Sequence, residues 1–242
     1  MARDGRRHIV TLGGGFRQND AGGWRTSPLV DYVLDLAGAN PRVCVLNTAV
    51  GDDPIGYVRM MGALAAADAH VSHLALFPMP TVADPRELLL AQDAVIVGGG
   101  SVANLCAVWR VHGLDAVFRE AWERGVVLSG ASAGAICWFV GGTTDSFGRD
   151  LRLFTDGLAL LPYSYCPHYD TEEQRRPTYR RLVADGSLPA GWATDDGVAL
   201  HFVDDELADV VSERKEAYAW HVEGGRGSAA AESQVQPRTL VV

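Results

Sequence analysis

Short apolar runs alternate with longer, mixed-polarity segments over the first 140 residues. His8-Ile9-Val10-Thr11-Leu12, Val43-Cys44-Val45-Leu46, Ala94-Val95-Ile96-Val97 and Gly125-Val126-Val127-Leu128-Ser129 each have the length and apolar content of a buried strand. Residues 71–77 alternate well enough for another. Between these runs the pattern predicts helices over about 28–37, 55–67, 85–91, 104–109 and 114–124. The first is marked by Ser27 as N-cap and Pro28 at its first position, where the missing N–H costs nothing. Strands that alternate with helices and are apolar throughout predict a mostly parallel sheet covered on both faces, an α/β three-layer sandwich. Sites in such sheets lie beyond the C-terminal ends of the strands.

The later third reads differently. Residues 157–167 predict a turn-rich connection, and 172–184 a helix interrupted near Pro177. Three short strands over 197–203, 207–212 and 217–222 predict an antiparallel extension of the sheet. Residues 224–238, rich in Gly, Ala, Ser and Gln, predict a mobile loop, with 239–242 docking back. No repeat or linker divides the chain, so residues 1–242 are read as one domain.

Composition narrows the class. A hydrophobic fraction of 48% and a charged fraction of 21% belong to an ordinary globular chain. The net charge of −9 argues against nucleic acid and against an anionic membrane surface as partners. Cys44, Cys106, Cys137 and Cys166 are widely spaced, with no metal-type pairing, so buried free thiols are expected and no metal or cofactor. The basic N-terminal residues are followed by too short and too Gly-rich a stretch for a signal peptide. The expected location is the cytoplasm.

The chemistry gathers at strand ends. Gly130-Ala131-Ser132-Ala133-Gly134 has the G-x-S-x-G form of a nucleophile elbow, with a buried strand before it and a helix-compatible run, residues 135–140, after it. Gly98-Gly99-Gly100 ends another strand, and glycines there can turn backbone N–H groups toward an oxyanion. Gly13-Gly14-Gly15 lacks dinucleotide-binding spacing. Of the seven His, His168 stands out in the loop Tyr165-Cys166-Pro167-His168-Tyr169-Asp170, a position suited to a general base. Asp145, Asp170, Asp195 and Asp196 are the carboxylates from which its partner would come.

Together these pieces place the chain in a resemblance. Val97-Gly98-Gly99-Gly100-Ser101, residues 130–135, Pro167-His168, Glu173-Gln174-Arg175 and Asp195-Asp196-Gly197 run in the order found in the aspartyl dipeptidase (peptidase E) and cyanophycinase family of serine peptidases. The resemblance covers about residues 8–222. It implies a fold similar to class I glutamine amidotransferases, and hydrolysis of dipeptides or short peptides through an acyl-enzyme. It implies Ser132 as nucleophile, His168 as base, and Asp196 at a position usually held by Glu. Gly100 and Ala133 would form the oxyanion hole, and Asp145 is the alternative acid or a supporting carboxylate. Two substrate-contacting positions depart from the dipeptidases: Ser101 replaces an Asn, and Glu172 replaces an Arg that binds a substrate Asp. Arg175 or Arg176 would have to supply the cation. The implied partner is a small peptide, with a homodimer left open. A hydrolase of β-aspartyl peptides and a non-catalytic binding protein are the rival readings.

Overall fold

The computed structural model describes residues 5–18, 22–225 and 230–240. The chain opens with β1 (His8–Leu12), a small hairpin of β2 (Phe16–Gln18) and β3 (Trp24–Thr26), and α1 (Pro28–Ala37). Then follow β4 (Arg42–Leu46), α2 (Pro54–Ala65), β5 (His70–His73), α3 (Pro85–Leu90) and β6 (Ala94–Val97). The helices α4 (Val102–Val111) and α5 (Leu114–Glu123) lead to β7 (Val127–Ala131), α6 (Ala133–Ile136) and β8 (Phe139–Thr144). Next are β9 (Arg152–Phe154), β10 (Leu161–Cys166), α7 (Arg175–Ala184), β11 (Gly191–Thr194) and β12 (Val198–Val203). The chain ends through β13 (Glu206–Ser212), β14 (Ala219–Glu223), β15 (Ala231–Val235) and β16 (Arg238–Thr239).

One sheet has the order β16-β13-β12-β1-β7-β6-β4-β5 and is parallel from β1 through β5. Alternate residues of its strands feed two cores, as a strand period of two requires. Val10, Val43 and Ile96 face Leu29, Val33, Met60 and Leu64 of α1 and α2. Ile9, Val95 and Leu128 face Leu89, Trp109 and Phe118 of α3, α4 and α5. Helices therefore cover both faces, as the alternation predicts. Ser27 caps α1, accepting from Val30 N, with Pro28 at the helix start.

A second sheet, β15-β14-β11-β10-β8-β9, is where the structure departs from the sequence reading. The expected connection over 157–167 contains β10, paired in parallel with both β8 and β11. The helix-compatible run after Ser132 gives only the single turn of α6. Trp138 and Phe139, fully buried, then carry the chain into β8. Of the three late strands, β12 and β13 extend the first sheet antiparallel, but β14 joins the second. The loop expected over 224–238 contains β15, which pairs with β14 from Ala219↔Val235 to Glu223↔Ala231. Residues 226–229, and 241–242 of the docking segment, lie outside the described residues. Pro177 falls in the first turn of α7, where no intrahelical N–H is needed, so it does not interrupt the helix. Tyr179, Leu182 and Val183 of α7 pack on Cys166, Ala193 and Val222.

No helix among the described residues is long and apolar enough to cross a membrane.

Candidate active site

At the end of β7 the backbone reverses at Ser132, with φ 53° and ψ −115°. A side chain held there costs about 1–3 kcal/mol and persists only if the surroundings enforce it. The flanking glycines do so by close approach. A methyl group on Gly130 would run into the Gly134 carbonyl, and one on Gly134 would lie 2.8 Å from Gly98 O. The Ser132 carbonyl accepts from Ala135 N at 2.9 Å and Ile136 N at 3.0 Å, which closes the single turn of α6. The first N–H groups of that turn, beginning at Ala133, have no intrahelical acceptor. Ser132 itself is half-buried, and its hydroxyl makes no hydrogen bond to a described residue, His168 included.

The Gly98-Gly99-Gly100 loop stands beside this turn, because β6 is the register neighbour of β7, with Val97 opposite Gly130. Gly98 N donates to Leu46 O and Ser101 N to Ala49 O, both at 2.9 Å. The N–H groups of Gly99 and Gly100 have no backbone partner among the described residues. A Cβ on Gly99 would lie 3.1 Å from Ser132 Cβ, so this loop abuts the serine directly. Gly100 has φ 136°, a conformation that glycine alone adopts easily. Ser101, expected as a substrate contact, is the N-cap of α4, its Oγ accepting from Asn104 N at 3.2 Å.

His168 follows β10, with φ 57°. Its Nδ1 is 2.7 Å from Asp196 Oδ1. With a proton on Nδ1 donated to the carboxylate, Nε2 is left as the basic nitrogen. Asp196 is fixed on every side. Its Oδ2 accepts from Thr171 Oγ1 at 2.8 Å, its N donates to Asp170 Oδ1 at 2.8 Å, and its carbonyl accepts from Arg214 Nη1 at 2.7 Å. Arg214 also pairs with Asp170 at 2.9 Å. The hydrogen bond from His168 holds the Asp196 carboxyl below the ordinary value of 3.8; Thr171 and the charge of Arg214 act the same way, against partial burial.

The Asp196 turn is pinned to the first sheet. Gly197 N donates to Gly13 O at 2.7 Å, and Gly13 N to Val198 O at 2.9 Å. Gly13 follows Leu12, the register partner of Ala131. The His168–Asp196 pair and Ser132 therefore share one end of the β1–β7 ladder.

The other candidates are placed elsewhere. Asp195 is buried and turned away, accepting from Tyr218 N and Trp220 Nε1; burial raises its carboxyl above the ordinary value. Asp145 lies exposed after β8, with no bond to His168. Arg175 is not an open cation for substrate. It is 2% exposed and committed to Thr143 O at 2.8 Å and to Glu172 at 2.7 Å. Arg176 is held by Glu232 at 3.0 Å and stacks on Trp220. Sequence reasoning missed Thr171 and Arg214, and weighed Asp170 only as a partner for His168. No local pattern marks Arg214, whose role depends on a contact 44 residues away.

The family model for peptidase family S51 matches residues 11–210. The chain belongs to peptidase family S51. This S51 peptidase is 42% identical over 221 residues to the uncharacterized peptidase YgaJ of Bacillus subtilis (strain 168), covering 89% of this chain and 92% of that protein. Over 107 residues it is 36% identical to Peptidase E of Citrobacter koseri, covering 39% of this chain and 46% of the relative. The crystal structure of a peptidase from an acI-B1 Actinobacterium superposes with a TM-score of 0.67 over 97% of this chain and 96% of that one, at 16% identity, a likeness of fold.

Proposed function

We propose that this S51 peptidase is a serine-type enzyme that hydrolyses dipeptides or short peptides, on an architecture similar to class I glutamine amidotransferases. The observation that carries the reading is the His168–Asp196 hydrogen bond beside a serine held in an enforced, strained turn. Ser132 Oγ attacks the scissile carbonyl while His168 Nε2 takes its proton, and the Ser–His contact tightens when substrate is bound. Asp196 fixes the tautomer of His168 and stabilises the imidazolium. The N–H of Ala133, with the unpaired N–H groups of Gly99 and Gly100, receives the developing oxyanion, each donor contributing about 3–4 kcal/mol to the transition state. The protonated His168 then serves the leaving amine, and water releases the acyl group from Ser132.

The substrate does not need an N-terminal Asp. At the position where the resemblance implies a substrate-binding Arg, Glu172 is an acid, and its carboxylate is occupied by Arg175. A dipeptide library assayed with the wild type and with Ser132→Ala tests the reading. Turnover by the wild type and none by the variant supports it, and full activity in the variant overturns it.

A further inference from the structure

A cavity of about 570 Å³ opens on the other side of the Gly98-Gly99 loop from α4, and none of the groups discussed above explains it. It lies over the ends of β6 and β7, reaching Gly99 and Ala131, the immediate neighbours of Ser132. Its walls are apolar: Phe16 and Trp24 from the small hairpin, Val50, and Met60 from α2. Arg59 stands at its rim with its guanidinium 4.9 Å from the Trp24 ring, and Asp53 is used to cap α2 through Gly56 N. One polar group is left over. Asn47 is 3% exposed and lines the cavity, and its Nδ2 is buried without a partner among the described residues. Its Oδ1 faces Gly98, where a Cβ would approach it to 2.5 Å. A buried donor of this kind is costly unless something accepts from it.

We infer that this cavity is the specificity subsite for a large apolar or aromatic residue next to the scissile bond, with Asn47 Nδ2 donating to a backbone oxygen of the same peptide. The inference rests on the serine-peptidase reading for its link to turnover, but the binding it describes does not. Apolar walls reward burial of a side chain such as Phe, Leu or Met. Among the described residues of the lining, the one cation, Arg59, lies at the rim over the Trp24 ring, and a lysine would meet no carboxylate other than the one capping α2. A buried donor set among apolar walls orients the peptide, as in other small-ligand sites.

Gly15 also lines the cavity, and a Cβ added to it meets nothing within 4 Å, so a side chain can be built there without disturbing the fold. Two measurements test the inference on the full chain. The first is kcat/KM over a matrix of dipeptides with Phe, Leu, Ala, Asp or Lys at each position. Phe or Leu at one position is expected to exceed Asp and Lys by on the order of tenfold to a hundredfold. Gly15→Leu is expected to lower the Phe-to-Ala ratio at that position by roughly tenfold. The second is calorimetric binding of the best Phe dipeptide to Ser132→Ala, and to that variant carrying Gly15→Leu or Asn47→Leu, each expected to weaken it.

Turnover that favours Asp or Lys, or a Gly15→Leu loss equal for all peptides, overturns the subsite and leaves the peptidase reading standing. Phe-dipeptide binding that Gly15→Leu weakens, without Ser132-dependent turnover, supports the subsite and overturns the mechanism. Neither binding nor turnover overturns both.

Discussion

His168 Nδ1 and Asp196 Oδ1 lie 2.7 Å apart although 28 residues separate them in the chain. One follows β10 and the other follows β11, adjacent parallel strands, so both side chains come from the same end of the second sheet. Asp196→Asn keeps the shape but gives His168 a neutral partner, with the amide free to present an N–H in place of the acceptor. The expected loss in kcat is on the order of 10⁴-fold. Asp196→Glu, the residue usual at this position in the resembling family, is expected to recover part of it. Asp145→Asn should leave kcat close to wild type. Steady-state kinetics of the three variants decides which carboxylate positions the base.

Thr171 donates to the outer oxygen of the same carboxylate. Thr171→Val removes a bond that favours the charged form, so the Asp196 pKa should move up from its depressed value. A depressed carboxyl contributes stability above the unfolded-state pKa and loses it as pH falls through the folded one. The onset of the acid limb, set by the unfolded-state pKa, should stay in place, while in the variant the stability lost on acidification should be smaller and should level off at a higher pH. Carbon-13 NMR titration of the Asp196 carboxyl, with urea unfolding across acidic pH, reads both effects.

Ser132 carries positive φ in a chain position where only glycine is at ease. Ser132→Gly should be inactive and more stable, by about 1 kcal/mol, a rise in Tm of roughly 2–4 °C for a domain of this size. A thermal scan that shows no rise would mean the turn is not strained.

Arg175 supports the site from within. Its loss in Arg175→Ala strands the Thr143 carbonyl, at an expected cost of about 2 kcal/mol. Glu172→Gln, at an exposed residue, should cost well under 1 kcal/mol. Denaturant midpoints distinguish the two.

All four cysteines are buried free thiols. Burial pushes Cys44, Cys106 and Cys166 up to about 12, and Cys137 well above the ordinary value. Thiolates are the reactive form, so the native protein should react slowly with a thiol-specific disulfide reagent and four thiols should appear on unfolding. Iodoacetamide should leave turnover intact.

How much of this was legible in the sequence depended on range. The elbow could be read because its causes are local: Gly130 and Gly134 press on each other across five residues. The parallel strands β1, β4, β6 and β7 could be read because burial on both faces leaves them apolar throughout. The second sheet could not. Phe139–Thr144 contains two glycines and two threonines, and becomes a strand only through pairing with Leu161–Cys166 and Arg152–Phe154. The same holds for Ala231–Val235, whose polar residues take strand form by lying along Ala219–Glu223. At the site, the residues alone left Asp145, Asp170, Asp195 and Asp196 open and the resemblance pointed to Asp196; that Asp195 meets Trp220 while Asp196 meets His168 is set by tertiary contact.

The turn over residues 195–197 belongs to both sheets at once. Asp195 N donates to Tyr218 O ahead of β14, and Gly197 N to Gly13 O beyond β1. Ser132 rides on one sheet and His168 on the other, so the reaction geometry proposed above is a vernier for how the two layers seat. Phe139, stacked on Tyr165 and edge-on to Phe202, lies in that seam. Conservative repacking there, such as Phe139→Leu, would misalign the pair without touching a reacting atom, and turnover would report the slip before the melting temperature did.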